Sequence, residues 1–365
     1  MKIGVLKEIK NHEYRVGLTP QGAKMCVDAG HEVLVETMSG MGVGFSDQEY
    51  KGIGAKIVSS DDIFDDAKLI IKVKEPLEVE YNKLKSGQIL FTYLHLAPDR
   101  KLTEGLLKSD CVGIAYETIT DDHGGLPLLR PMSEVAGRMS IQAGAHSLEK
   151  SSGGSGTLLP GAVGVPPGRV LVIGAGVVGL NAARVALGLG AQVTVMDVSA
   201  DRLYQVDHDF GSRMMTKFSN KQTVIESLKD TDLLIGAVLL PGAAAPKVIT
   251  RDMLSYMKPG SVLVDVAIDQ GGMAETSEAT THDNPTFIVD QIVHYCVTNM
   301  PGAVAKTSTM ALTNSTLPYI MTIANKGYRQ AIEDDIHLKN GLNVHHGEVT
   351  CRAVADALGY QCREI

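Results

Sequence analysis

Tryptophan is absent from the 365 residues, and aromatic residues of all kinds make up only 5%. That scarcity argues against a carbohydrate platform or a single-strand nucleic-acid groove, both of which rely on stacking against aromatic faces. The five cysteines (Cys26, Cys111, Cys296, Cys351, Cys362) are odd in number and scattered, with no C-x-x-C spacing. A disulfide scaffold and a zinc ribbon are both excluded. Basic charge is not in excess either: the net charge is −8, spread without acidic or basic blocks. Broad, sequence-independent nucleic-acid binding needs a basic face to displace counterions, so it is not expected. No run approaches the roughly 18 uncharged apolar residues that span a bilayer. The opening residues 1–6 are strand-like and lead at once into Lys7, Glu8 and Lys10, unlike a secretory signal. Without such a signal, Asn314-Ser315-Thr316 is not read as a glycosylation site. A soluble cytoplasmic protein is expected.

What the chain does hold is glycine, 38 residues, against a usual share of roughly 7%. Hydrophobic residues at 44% and charged residues at 21% are ordinary globular usage. Over the first 130 residues, short β-like runs alternate with helical stretches. Strands are predicted at residues 2–6, 31–36, 55–58, 69–73, 88–95 and 112–115. Residues 19–29 read as a helix, with Thr19 as N-cap, Pro20 at the first helical position and Gly30 as terminator. A long helix is predicted over 129–150, followed by a Gly/Ser run at 151–156 that reads as a flexible loop or hinge. A second alternating pattern then opens, with strands at 170–173, 192–196, 233–238, 261–266, 286–289 and 292–297. Residues 307–331 read as one helix, and the last 35 residues are mixed. No fixed-period repeat is present. Strands alternating with crossover helices imply an α/β fold with largely parallel sheets. The simplest arrangement is two Rossmann-like domains, the second inserted into the first: residues 1–128 with 303–365, and residues 129–302. The C-terminal helix would return to the N-terminal domain.

The strongest local signal is Val170-Leu-Val-Ile-Gly-Ala-Gly-Val-Val-Gly179. G-x-G-x-x-G alone is weak, but here it follows an apolar strand and opens a helix, the context that gives it meaning. Gly174 permits a tight turn, Gly176 lets the backbone approach a pyrophosphate, and Gly179 allows close packing of helix on strand. The helix N-terminus then offers unpaired N–H groups to phosphates. Asp197 ends the next strand, where an acid bonds the ribose 2′-hydroxyl and repels a 2′-phosphate, favouring NAD over NADP. The alternative is a structural βαβ unit without a nucleotide.

Other polar residues fall at the carboxyl ends of strands, where open α/β sheets bind ligands. These are Arg15, Lys74, His95, Asp269 and Asn299. Two cations suit a carboxylate, while His and Asp suit proton transfer near neutral pH. An interdomain cleft for a small anionic substrate would need such a set. Each has a plain alternative: Lys74 as a solvated charge, His95 as a half-buried histidine, Arg15 paired with Glu13, Asp269 capping the turn before Gly271-Gly272. Glu117, after the strand 112–115, has a cation-binding reading, with pairing or capping preferred. His345-His346 resembles a metal pair, but adjacent histidines point apart on a strand or helix, so no metal is expected. Ser152–Gly156 lacks the Lys-Ser/Thr ending of a triphosphate loop, and the fifteen methionines read as core filling.

These residues stand in longer stretches that resemble the alanine dehydrogenase family from end to end. The stretches are Met1-Lys-Ile-Gly-Val-Leu-Lys-Glu-Ile-Lys-Asn-His-Glu-Tyr-Arg-Val-Gly-Leu-Thr-Pro20, Val73-Lys-Glu-Pro76, Tyr93-Leu-His-Leu-Ala97 and Ala115-Tyr-Glu-Thr118. Further on come Pro131-Met-Ser-Glu134, Val264-Asp-Val-Ala-Ile-Asp-Gln-Gly-Gly272, Asn299-Met-Pro301 and Lys306-Thr-Ser-Thr309. The resemblance implies an NAD-dependent L-alanine dehydrogenase acting on L-alanine, pyruvate and ammonium. It implies that Arg15 and Lys74 hold the substrate carboxylate, that His95 and Asp269 are the acid–base groups, and that Asn299 supports nicotinamide and substrate. Ser133 would contact the cofactor phosphates, with Val177, Val178 and Asp197 forming the adenosine half. Arg202, Ser219, Val238, Leu239, Val266, Ala267, Ile268, Asp269, Thr298 and Met300 would line the rest. Domain closure hinged near Leu129 and Gly302 and a homohexameric assembly are further implications. The stretch 160–167 departs from the family's usual wording. Some members place an acid and a histidine near Thr322 and Lys326, associated with a divalent cation, and this chain has neither. The rival is a non-catalytic nucleotide-binding subunit related to the transhydrogenase alpha chain.

Overall fold

Short aliphatic runs supply the strands of two separate sheets in the computed structural model, which describes residues 1–238 and 245–365. The chain divides into two compact units, Met1–Met132 with Val304–Ile365, and Ser133–Ala303. In the first, β1 (Lys2–Val5), β2 (Glu32–Glu36), β3 (Lys56–Val58), β4 (Leu69–Ile71), β5 (Ile89–Thr92) and β6 (Val112–Ala115) pair in parallel, in the order β3-β2-β1-β4-β5-β6. Every side chain of β4, β5 and β6 is buried, as expected for a sheet covered on both faces. The order reverses between β1 and β4, which makes the carboxyl ends of those two strands the switch point where such sheets bind ligands.

The second unit repeats the plan. β7 (Arg169–Ile173), β8 (Gln192–Asp197), β9 (Met215–Phe218), β10 (Leu233–Gly236), β11 (Val262–Asp265), β12 (Thr286–Val289) and β13 (Ile292–Tyr295) lie in the order β9-β8-β7-β10-β11-β13-β12. All pairings are parallel except β12 with β13. The switch point falls between β7 and β10. Its core packs Val170, Val172, Ala182, Ala183, Ala186, Leu233 and Ile235 from sheet and helices. The first sheet is completed at its β6 edge by two antiparallel strands from the end of the chain, β14 (Leu342–His345) and β15 (Glu348–Val349). Among the described residues no helix is long and apolar enough to cross a membrane.

Local chemistry accounts for the boundaries. Helix Pro20–Asp28 begins with the Thr19 side chain accepting the Gly22 N–H at 3.2 Å, and Gly30 takes φ +85° beyond its end. Four local expectations are corrected. The run 88–95 pairs only to Thr92, because Glu117 takes the N–H groups of Leu94 and His95 away from the ladder. The helical stretch 307–331 divides into Ala305–Lys326 and Tyr328–Asp334 at Gly327, whose φ of +77° no helix accommodates. The Gly/Ser run is bonded in place rather than a free linker. Gly154 and Gly156 donate to Glu149 and Leu148, and Ser155 donates to Gly260. A Cβ on Gly154 would lie 2.3 Å from the Ser147 carbonyl oxygen, so that glycine serves close packing. Three strands, β9, β14 and β15, go unread in the sequence because they are short, and β9 and β15 sit at sheet edges.

Candidate functional site

In the first unit, the adjacent parallel strands β1, β4, β5 and β6 each deliver one candidate group beyond a carboxyl end: Arg15, Lys74, His95 and Glu117. Arg15 is 2% exposed, and its Nε and Nη2 donate to the two Glu13 oxygens at 2.6 and 2.5 Å. Its Nη1 lies 3.0 Å from the Met132 sulfur. The pairing with Glu13 weighed for Arg15 is therefore realised, and it holds the guanidinium as a buried charge of fixed orientation. Lys74 is half-buried in the segment after β4, with its carbonyl accepting the Thr92 hydroxyl at 2.9 Å. That segment is tied to Glu8, which accepts the Val73 N–H at 2.6 Å.

Behind it lies an ion triad that sequence reasoning missed. Lys72, 1% exposed, meets Glu8 at 3.2 Å and Glu80 at 2.7 Å. Burial opposes the Lys72 charge, but the two carboxylates outweigh it and hold the ammonium above its ordinary value. Two carboxylates share one cation there, and burial pushes Glu8 upward against the pull of Lys72. Lys72 and Lys74 are equally basic on paper. They stand two positions apart, a spacing that alternation would place on one face, and the bend at Val73 and Lys74 beyond β4 separates them.

His95 stands three residues past β5 with φ +47°, and its side chain is 45% exposed. Its ring lies parallel to that of Tyr93 at 5.8 Å, and the Tyr93 hydroxyl donates to the Leu128 carbonyl at 2.6 Å. Glu117 caps this segment, in keeping with its reading as a pairing or capping acid.

In the second unit, the glycine motif behaves as its spacing demands. Gly174 takes φ +104°, and a Cβ there would lie 2.4 Å from the Ala237 carbonyl oxygen across the switch point. A Cβ on Gly179 would lie 1.8 Å from the Gly174 carbonyl oxygen. Gly176 is the N-cap of helix Val177–Gly188 and, having no side chain, makes no cap hydrogen bond to that terminus. A glycine-opened helix start of this kind fits a dinucleotide pyrophosphate. Val177 and Val178 open this helix. Asp197 ends β8, and its two oxygens accept the Ala175 and Ser199 N–H groups at 2.7 and 2.8 Å. The Asp197 carboxylate therefore borders the glycine loop. Arg202 reaches the same loop, with Nη1 3.3 Å from the Ala175 carbonyl, and the Ser219 N–H donates to the Asp197 carbonyl at 2.9 Å.

Ser133 lies one helical turn before Gly137 on helix Arg130–Ser147. A Cβ on Gly137 would be 2.2 Å from the Val178 carbonyl oxygen, so this face of the helix lies against the start of the glycine-motif helix. Val238 follows β10 at the switch point, and Leu239 lies outside the described residues.

Beyond β11, Val266, Ala267, Ile268 and Asp269 form a 3₁₀ turn, Val266–Gln270. Asp269 is exposed, and the turn is braced instead by Asp265. Fully buried, Asp265 accepts the N–H groups of Ala267, Met273 and Ala274 at 3.1, 2.8 and 3.2 Å and the Ser277 hydroxyl at 2.6 Å. The capping alternative weighed for Asp269 belongs to Asp265. An acid closing an otherwise apolar strand was the available signal. Asn299, with φ +61°, follows β13 between half-buried Thr298 and buried Met300, and its carbonyl accepts the Gly302 N–H at 2.9 Å.

One expectation about side-chain direction is reversed. His346 takes φ +47° and Gly347 φ +78°, which turns the chain so sharply that the His345 and His346 rings meet at 4.5 Å. Both face the Tyr328 hydroxyl, at 3.1 and 3.3 Å. Among the described residues, no group of three or more His, Cys, Asp or Glu side chains is arranged to hold a metal ion.

Comparison with known proteins extends over the whole chain. The family model described as alanine dehydrogenase/PNT, N-terminal domain, matches residues 4–136, and the corresponding C-terminal domain model matches residues 140–352. An alanine dehydrogenase of Halomonas elongata is 61% identical over 99% of this chain and 98% of its own length. One of Methanococcus maripaludis is 54% identical over 98% of this chain and 96% of its own. A solved L-alanine dehydrogenase superposes with a TM-score of 0.96 at 49% identity, covering 98% of this chain and 99% of that one. A transhydrogenase from Sinorhizobium meliloti superposes with a TM-score of 0.83 at 26% identity, covering 97% and 100%. With both domains matched and identity this high along its full length, the chain belongs to the alanine dehydrogenase/PNT family.

Proposed function

We propose that this chain catalyses the reversible oxidative deamination of L-alanine, taking alanine, NAD⁺ and water to pyruvate, ammonium, NADH and a proton. The observation that carries this reading is the contrast in identity at full length: 61% to an alanine dehydrogenase against 26% to a transhydrogenase. A non-catalytic nucleotide-binding subunit is the weaker reading on that contrast. NAD, when bound, supplies the acceptor for the hydride that leaves the alanine Cα. The cradle for it is the loop of Gly174, Gly176 and Gly179 with the helix start at Val177 behind, and the Asp197 carboxylate at its edge selects a free 2′-hydroxyl.

The remaining work falls to the chain's own side chains. Arg15, pre-oriented by Glu13, and Lys74 neutralise the substrate carboxylate. His95, exposed and held by its backbone, takes a proton from the water that attacks the iminium carbon and returns one to the departing amine. An imidazole suits this two-way traffic because one ring nitrogen can accept a proton while the other donates one. Asp269, exposed on a braced turn, orients the water and balances the iminium charge. Asn299 supports nicotinamide and substrate. A homohexamer in the cytoplasm is the assembly that goes with this reading.

The test follows NADH absorbance on mixing the protein with L-alanine and NAD. Steady NADH formation, and a His95→Ala variant that loses about 10²–10⁴-fold in kcat while still binding NADH, are the expected results. No NADH from alanine overturns the activity. Near-normal turnover in His95→Ala removes the histidine from the mechanism.

A further inference from the structure

His95 lies in a segment that has left the sheet, at a backbone angle disfavoured for a residue with a side chain, so something beyond its own sequence must hold it. The register supplies that something. β5 and β6 run parallel with Thr92 opposite Ala115, so the chain leaving β5 runs beside the 3₁₀ turn Tyr116–Thr118 that leaves β6. From this turn Glu117, 16% exposed, turns its carboxylate onto the neighbouring backbone. Oε1 accepts the Leu94 N–H at 3.1 Å and the His95 N–H at 2.6 Å, while Oε2 accepts the Leu94 N–H at 3.2 Å. The same Oε1 lies 3.9 Å from the imidazole Nδ1. On the side of Tyr93, the phenol ring stacks on the imidazole and is itself anchored at the Leu128 carbonyl. One carboxylate thus holds both backbone amides, and it sits on the Nδ1 side of the ring.

We propose that Glu117 is a positioning residue for the reaction: its carboxylate pins the Leu94–His95 backbone and keeps Nδ1 on its own side, leaving Nε2 as the nitrogen that exchanges protons with substrate. The proposal rests on His95 as the acid–base group. A displacement of about 1 Å in such a group costs about 10²-fold in rate.

The experiment uses the full-length enzyme. Glu117→Asp withdraws the carboxylate by one methylene, about 1.5 Å, beyond reach of the His95 N–H. It is expected to lower kcat for pyruvate amination roughly 10- to 100-fold, with NADH affinity unchanged. Glu117→Gln keeps an amide oxygen of the same reach and is expected to retain kcat within about fivefold, a rescue that a need for the charge alone does not give. In a His95→Ala background, Glu117→Asp is expected to change the residual kcat less than about twofold, because the two act as a unit. Wild-type kcat in Glu117→Asp overturns the proposal. So does an equal fold loss with and without His95, or a Gln variant as impaired as the Asp variant. A fully active His95→Ala enzyme overturns the acid–base reading itself, and the positioning role with it.

Discussion

Substituting Gly179 with alanine tests the cofactor cradle at its tightest point. The added Cβ would sit 1.8 Å from the Gly174 carbonyl oxygen, 2.9 Å from its carbon and 3.2 Å from Val172 Cγ1. A carbon and a carbonyl oxygen normally stay about 3.3 Å apart or more, so helix and loop must separate by over an ångström. The loop has little room to yield, because Gly174 is itself packed against the Ala237 carbonyl. Overpacking of this kind costs about 1–3 kcal/mol. For a unit the size of Ser133–Ala303 that corresponds to a fall of roughly 2–12 °C in its melting temperature. The shift also carries the amides of the helix N-terminus away from the phosphates. Each charge-assisted bond lost there is worth about 1.5–3 kcal/mol, so NADH affinity should fall at least about tenfold. Calorimetry reads the first effect and NADH fluorescence titration the second. Gly188→Ala is the control, because it ends the same helix with nothing within 4 Å of the new Cβ. It should be neutral or stabilising by up to about 1 kcal/mol. A Gly179→Ala enzyme with the melting point and NADH affinity of the parent would refute the packing argument.

Asp197→Ala should weaken NAD binding and narrow the preference over NADP, read as the ratio of kcat/KM values; equal values for both cofactors in the parent enzyme would remove Asp197 from that role. Lys74→Ala should cost about 2–5 kcal/mol in kcat/KM for pyruvate if its charge meets the carboxylate away from water. Unchanged kcat/KM would mark it as a solvated strand-end charge. Arg15→Ala is less clean, since it also strips Glu13 of its bidentate partner. His294 should make the second unit sensitive to acid. Enclosed in β13 between the Ile292 carbonyl at 3.0 Å and the Thr276 hydroxyl at 2.8 Å, it is pushed below its ordinary 6.5, mainly by burial. The unfolded chain therefore takes up the proton first, and stability present above 6.5 is lost as pH falls toward the lower folded value. The melting temperature should drop from about pH 7 to about pH 5 more steeply in the parent than in His294→Phe; parallel curves would rule this out.

Features whose physical cause lies within a few residues were legible from the sequence alone. The cap at Thr19 and the steric demands of Gly174 and Gly179 are examples, since each is met by atoms within about five positions along the chain or imposed by φ. Short aliphatic runs alternating with helices likewise point to parallel α/β sheets, because only such sheets bury strands on both faces. The resemblance of long motifs carried the expected chemistry. Strand order was not legible, since nothing in a run of Leu, Ile and Val names its neighbour. Only the order β1-β4-β5-β6 lines up Arg15, Lys74, His95 and Glu117 beyond adjacent strand ends. Nor could the sequence divide the labour between Asp265, buried with four donors around it, and exposed Asp269 four positions on. The same holds for Lys72 and Lys74, and for the left-handed turn that turns His345 and His346 onto one hydroxyl. In each case the deciding partner is distant in the chain or the deciding angle is imposed by the turn. Glu117 ends the pairing of β5 from 22 positions beyond His95, and the long-range packing that brings it there belongs to the tertiary structure.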